Sequence, residues 1–237
     1  ESIHATRYSS FEHALKTRQR NQELVRKTQN QTDYYLGLLE SGEIYRVFGN
    51  SEKACALYEE AYPGLKRLNL ILDMGYYERA YGDLALHSER YAEALARYEQ
   101  YARYAKQDNH PWSMAQARAK CALALAWLEK PEQARREMCN LLVEIRPWGE
   151  DELLLTALLI EPVCLMQEGK FEQAVEMAAF LQKQPVTWNE IRQQAQTMLE
   201  HAAGGMADEA VQLAIQRGES LKLDTVIETV LSREGKT

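Results

Sequence analysis

Five histidines, His4, His13, His87, His110 and His201, are the first residues to test for chemistry. Two imidazoles three or four residues apart on one helical face would hold a metal ion, and no two of these stand at that spacing. Carboxylate pairs such as Glu59-Glu60 and Asp208-Glu209 are adjacent, so along a helix they diverge rather than share a proton. The terminal Gly235-Lys236-Thr237 carries the last three letters of a phosphate loop, without the strand before it and the helix after it that such a loop needs. Cys164 and Ser113 have no histidine in a local nucleophile motif. These residues predict no enzyme, no metal site and no cofactor. They leave binding as the function to explain.

Composition narrows the partners. Lys and Arg number 28 against 35 Asp and Glu, a formal net charge of −7, which argues against direct nucleic-acid binding by this segment. Cys55, Cys121, Cys139 and Cys164 form no Cys-x-x-Cys pair and stand in apolar stretches, as small buried hydrophobes do in a reducing compartment. No run of about eighteen apolar residues or signal-peptide pattern is present. A soluble, cytoplasmic chain with no membrane contact is expected.

What would position any binding residues is a repeat. Ala14, Ala54, Ala94, Ala134 and Ala174 recur at forty-residue intervals, inside the tetrads that begin at Phe11, Ser51, Tyr91, Pro131 and Phe171. A fixed period in this range marks a stack of one supersecondary unit. Four residues after the alanines stand Tyr58, Tyr98, Met138 and Ala178, and seven after them Ala61, Tyr101, Leu141 and Leu181. Those offsets share one helical face. Five residues before, Gly49 and Gly169 suit the left-handed residue that ends a helix, with Glu89 and Glu129 in the same place elsewhere. Asn50 or Ser51 can cap the next helix, and Pro131 suits a first turn. Each unit therefore reads as helix, tight turn, helix, and the whole as one elongated all-α domain.

The ends differ from the middle. Residues 1–30 are expected to be a partial repeat or N-terminal helix: only ten residues precede the first tetrad, and Arg18 and Asn21 take places that are apolar in complete units. Either this is a polar cap or the chain is part of a longer array, and the absence of an initiating Met favours the latter. Residues 31–186 make four repeats. Residues 187–237 are read as capping helices, opened by a Thr187/Glu190 capping box, stopped at Gly204-Gly205, continued from about Ala207 to Gln216, and completed near Asp224 to Leu231 after Gly218. Pro162, inside the last first helix, predicts a kink near Leu158 to Glu161 or a late start.

Gly42, Tyr45, Gly49, Ala54, Tyr58 and Ala61 together match the six characteristic places of the tetratricopeptide repeat (TPR), and the chain resembles that family. Gly82, Ala94 and Tyr98 carry the match into the second unit, and Ala122 with Ala134 and Gly169 with Ala174 into the third and fourth. The forty-residue period exceeds the usual thirty-four by about one and a half helical turns. That lengthening, with the irregular ending, is similar to the C-terminal sensor regions of bacterial multidomain signal-transduction ATPases and ATP-dependent transcriptional regulators. The resemblance implies a right-handed superhelical solenoid of antiparallel helix pairs, with the ATPase domain elsewhere in the polypeptide. It also implies that the first helices line a concave groove.

Carried onto this sequence, that groove holds Glu40, Glu43 and Arg46, then Tyr76, Arg79, Asp83 and His87, then Gln116, Lys120, Leu123 and Trp127, then Leu159, Val163 and Met166. The face runs from charged to apolar. Leu39 and Glu43 stand where relatives that clamp a C-terminal carboxylate have Lys and Asn, so a carboxylate clamp is not expected. The competing reading packs Trp127, Leu159 and Val163 inside the superhelix. The expectation is a non-catalytic sensor module of a larger bacterial signalling protein, binding a protein, a peptide or a small effector; the alternative is a free-standing adaptor joining protein partners.

Overall fold

The computed structural model of the chain describes residues 12, 15–16, 18, 30–184 and 189–235. Among the described residues all regular structure is helical. The elements are α1 (Gln31–Val47), α2 (Ser51–Arg67), α3 (Ile71–His87), α4 (Tyr91–Gln107), α5 (Pro111–Trp127) and α6 (Pro131–Ile145). A 3₁₀ turn (Arg146–Trp148) leads to α7 (Asp151–Leu158), α8 (Ile160–Gln167), α9 (Phe171–Lys183), α10 (Asn189–Ala203), α11 (Asp208–Ser220) and α12 (Leu223–Glu234). None of these helices is long and apolar enough to cross a membrane.

The forty-residue period divides into two equal halves. Residues with positive φ recur at Gly49, Asn69, Glu89, Asn109, Glu129, Gly149 and Gly169, twenty apart, and each ends a helical segment. At Gly49 the Gly49 N–H donates to Arg46 O (3.0 Å) and the Asn50 N–H to Tyr45 O (2.8 Å), the paired bonds of a Schellman stop. The same pair closes α2, α3, α4, α5 and α8. Glu89 and Glu129 therefore adopt the left-handed conformation themselves, while Asn69 and Asn109 mark second-helix ends that the tetrads do not reveal. At the starts, Asn50 Oδ1 accepts from the Lys53 N–H (3.1 Å) and Asn30 Oδ1 from the Thr32 N–H (3.0 Å). His110 does the same for α5, its Nδ1 accepting from the Ser113 N–H (3.2 Å).

Contacts divide the chain into two compact units that meet within α5, between Ala117 and Arg118. In the first unit α1 packs on α2, α2 on α3 and α3 on α4. Ala54 and Ala94 are fully buried, as are Tyr58 and Tyr98 four residues on. The Tyr58 and Tyr98 rings lie where Cβ atoms on Gly42 and Gly82 would stand, so each glycine is a seat for a ring. In the third and fourth repeats the corresponding places hold Ala122 with Met138 and Pro162 with Ala178, a slimmer side chain opposite a larger residue. Arg18, expected to spoil an inner surface, is buried instead: its Nε donates to Gly37 O (2.9 Å) and Ser41 Oγ (3.2 Å). Ala14 and Asn21 lie outside the described residues.

In the second unit α6 packs against α7, α8 and α12, and α9 against α8, α10 and α11. Ala134 and Ala174 are fully buried. The helix carrying Pro162 breaks at Leu159, between α7 and α8, at the place its missing N–H predicts. Thr187 lies outside the described residues, so the capping box does too; Glu190 takes part in an ion pair described below. The helix expected to end at Gln216 runs on to Ser220, because Gly218 is a helix-interior residue against the Glu176 carbonyl of α9 and not a terminator.

Candidate functional site

Four charged side chains on α1 and α3 form a closed ring of alternating sign in the first unit. Glu43 and Arg46 are three apart on α1 and Arg79 and Asp83 four apart on α3, so both pairs share a face. Arg46 Nη2 lies 2.6 Å from Glu43 Oε1 and 3.4 Å from Asp83 Oδ2. Arg79 closes the ring, Nη2 at 3.2 Å from Glu43 Oε1 and Nη1 at 3.5 Å from Asp83 Oδ2. Two buried tyrosines support it from below: Tyr58 donates to Glu43 Oε2 (3.2 Å) and Tyr98 to Asp83 Oδ1 (2.8 Å). Burial, reinforced by the Glu43 charge, pushes the Tyr58 hydroxyl well above its ordinary range and keeps it a donor.

The ring is graded from floor to rim. Side-chain exposure rises from 1% at Asp83 through 9% at Arg46 and 13% at Arg79 to 23% at Glu43, so Glu43 is the member an incoming group meets first. Desolvating such charges is costly, and the ring with its two hydroxyls offsets that cost by leaving every formal charge facing its opposite. Beside it, Tyr76 OH and Ser113 Oγ are 3.3 Å apart, the Arg79 guanidinium lies 5.9 Å from the Tyr76 ring centre, and Tyr101 donates to Gln116 Oε1 (2.9 Å). Glu40 pairs with Arg18 at 3.5 Å, and His87 is exposed in the last turn of α3. Near Glu40, burial pushes the Asp73 carboxyl up to about 6, and the Asp108 and Glu40 charges add to the shift.

The second unit covers its share of the expected face. Lys120 is buried and paired with Glu190 of α10, whose Oε1 also accepts from Gln194 Nε2 (3.3 Å). The Trp127 and His201 rings meet edge to face at 5.7 Å, so α10 touches α5 at two of the positions expected to be open. Leu123, Leu159 and Val163 are each 1% exposed, and Met166 is half-buried. Sequence reasoning does not find a second ion network here. Glu161 is fully buried and receives Arg135 Nε (3.1 Å) and Arg233 Nη1 (2.8 Å), while Arg135 also pairs with Glu168. Burial pushes the Glu161 carboxyl up despite both guanidiniums.

Among the described residues no group of three or more His, Cys, Asp or Glu stands together to hold a metal ion. Burial pushes the Cys164 thiol up to about 12, away from the thiolate that a nucleophile needs. No family model and no curated protein matches the chain.

Proposed function

We propose that the chain is a non-catalytic binding module, a TPR-like right-handed solenoid that serves as the sensor part of a larger bacterial signalling or transcription-regulating protein. Its recognition face is the α1 and α3 surface of the first unit, and it takes a peptide or protein segment there. The carrying observation is the Glu43, Arg46, Arg79 and Asp83 ring, which is held by Tyr58 and Tyr98 yet opens to solvent at Glu43. An alternating ring with no excess of either sign suits a ligand that brings both donors and acceptors, such as an extended backbone with mixed side chains. It does not suit a polyanion. Four scattered cysteines without a Cys-x-x-Cys pair support a reducing, cytoplasmic setting.

A displayed peptide library selected on the full chain tests the reading. Selected peptides are expected to lose at least about tenfold in affinity on Glu43→Gln and on the exposed-site change His87→Glu, with the helical circular dichroism spectrum unchanged. Selected peptides that bind both folded variants as tightly as the parent would remove this face from consideration. An upstream nucleotide-binding domain in the full reading frame would favour the sensor over an adaptor.

A further inference from the structure

The second unit contains a cleft that the peptide reading does not use. It lies between α9 and α12, has a volume of about 190 Å³, and is floored by Leu165, Met177 and Val226. Arg233 stands on its wall. An enclosed cavity of about 150 Å³ holds benzene, so this volume admits a compact apolar body of roughly six to ten non-hydrogen atoms.

The Arg233 contacts decide the polar end. A guanidinium carries five N–H donors in a planar fork. Arg233 commits Nη1 to Glu161, which is also neutralised by Arg135. Nε and Nη2 have no hydrogen-bond partner among the described residues, and the side chain is 43% exposed. That leaves one edge of the fork, two parallel N–H groups, in the geometry that matches a carboxylate. Glu176, the one carboxylate on the lining, is held by Arg217 Nε at 3.0 Å and does not compete for Arg233. Thr225 adds an exposed hydroxyl at the rim. We propose that this cleft is a binding site for a small monocarboxylate with a compact apolar body, its carboxylate on the free edge of Arg233 and its body on Leu165, Met177 and Val226. Such a ligand would tie α12 to α9, beside the buried Glu161.

Calorimetric titration of the full chain with benzoate and hexanoate tests the site, with benzamide as the neutral isostere of benzoate. Saturable binding of at least one acid at low millimolar concentration or tighter is expected, with benzamide at least tenfold weaker. Arg233→Gln and Thr225→Trp are each expected to weaken binding at least tenfold, the first by removing the fork and the second by filling the cleft. Because Arg233 also holds Glu161, Thr225→Trp decides the matter if Arg233→Gln fails to fold. No binding of either acid up to about 10 mM, benzamide binding as tightly as benzoate, or affinity unchanged in folded Thr225→Trp would each overturn the proposal. These outcomes are independent of peptide binding to the first unit.

Discussion

At the scale of single residues, the left-handed positions set a local cost that differs from one helix end to the next. Gly49, Gly149 and Gly169 adopt φ between 69° and 87° freely, whereas Glu89 and Glu129 hold 58° and 59° with a Cβ in place. A left-handed non-glycine residue costs about 1 to 2 kcal/mol, and Asn less because its short side chain bonds locally. A Cβ added at Gly169 would meet nothing within 4 Å, so any cost there is backbone strain and not a clash. Glu129→Gly is therefore expected to raise the unfolding free energy by about 1 kcal/mol. Gly169→Asn should cost under about 1 kcal/mol, since Asn69 and Asn109 already fill equivalent places, and Gly169→Val about 2 kcal/mol. Urea unfolding of the three variants checks the order. A Gly169→Val protein as stable as Gly169→Asn would show that these turns do not demand the left-handed conformation.

At the scale of elements, small residues control how closely helices approach, and not every one is visible in the period. The tetrad alanines announce themselves by repetition, and the full burial of Ala54, Ala94, Ala134 and Ala174 follows from the shared face at offsets of four and seven. Gly218 gives no such signal: a glycine near a helix end reads as a stop, and only the approach of α9, forty-two residues earlier at Glu176, makes it an interior contact. A Cβ at Gly218 would overlap the Glu176 carbonyl oxygen, which belongs to helix backbone and cannot rotate aside. Gly218→Ala should lower stability by more than about 2 kcal/mol and loosen the seam between α9 and α11. Gly204→Ala, whose added Cβ would have its nearest contact at 3.4 Å, is the control expected to cost under about 1 kcal/mol. Hydrogen exchange would show accelerated amides in residues 208–220 of the first variant. Equal stabilities of the two proteins would mean that the seam gives way without cost.

At the scale of the whole molecule, charge pairing is the least legible feature of the sequence. The Glu43 and Arg79 partners are 36 residues apart, Arg135 and Glu161 26 apart, and Glu161 and Arg233 72 apart. A one-dimensional reading places such charges on solvated faces; only the packing of successive helices shows that Asp83 and Glu161 are almost wholly buried. The helix period could predict which face Glu43, Arg46, Arg79 and Asp83 share, but not that they neutralise one another. Burial of carboxylates also sets the pH response. The Asp73 carboxyl rises from an ordinary 3.8 to about 6 and Glu161 shifts in the same direction, so the folded chain holds these protons more tightly than the unfolded chain. Between about pH 4 and 6 the Asp73 contribution therefore falls as pH rises, and above 6 it stays low. Glu168, lowered by Lys170 and Arg135, has the opposite sign: its contribution is present above about pH 4.5 and is lost only as pH falls through its lowered value. The fall set by Asp73 between about pH 4 and 6 makes the chain more stable at pH 5 than at neutrality. Asp73 is half-exposed, so its share is discounted for solvent screening to about 1 kcal/mol. The urea midpoint should be higher at pH 5 than at pH 7.5, and Asp73→Asn should raise the pH 7.5 midpoint and shrink that difference. A parent chain more stable at pH 7.5 than at pH 5, or an Asp73→Asn protein with the parent's pH profile, would show that the carboxyl meets water in the folded state as freely as in the unfolded one.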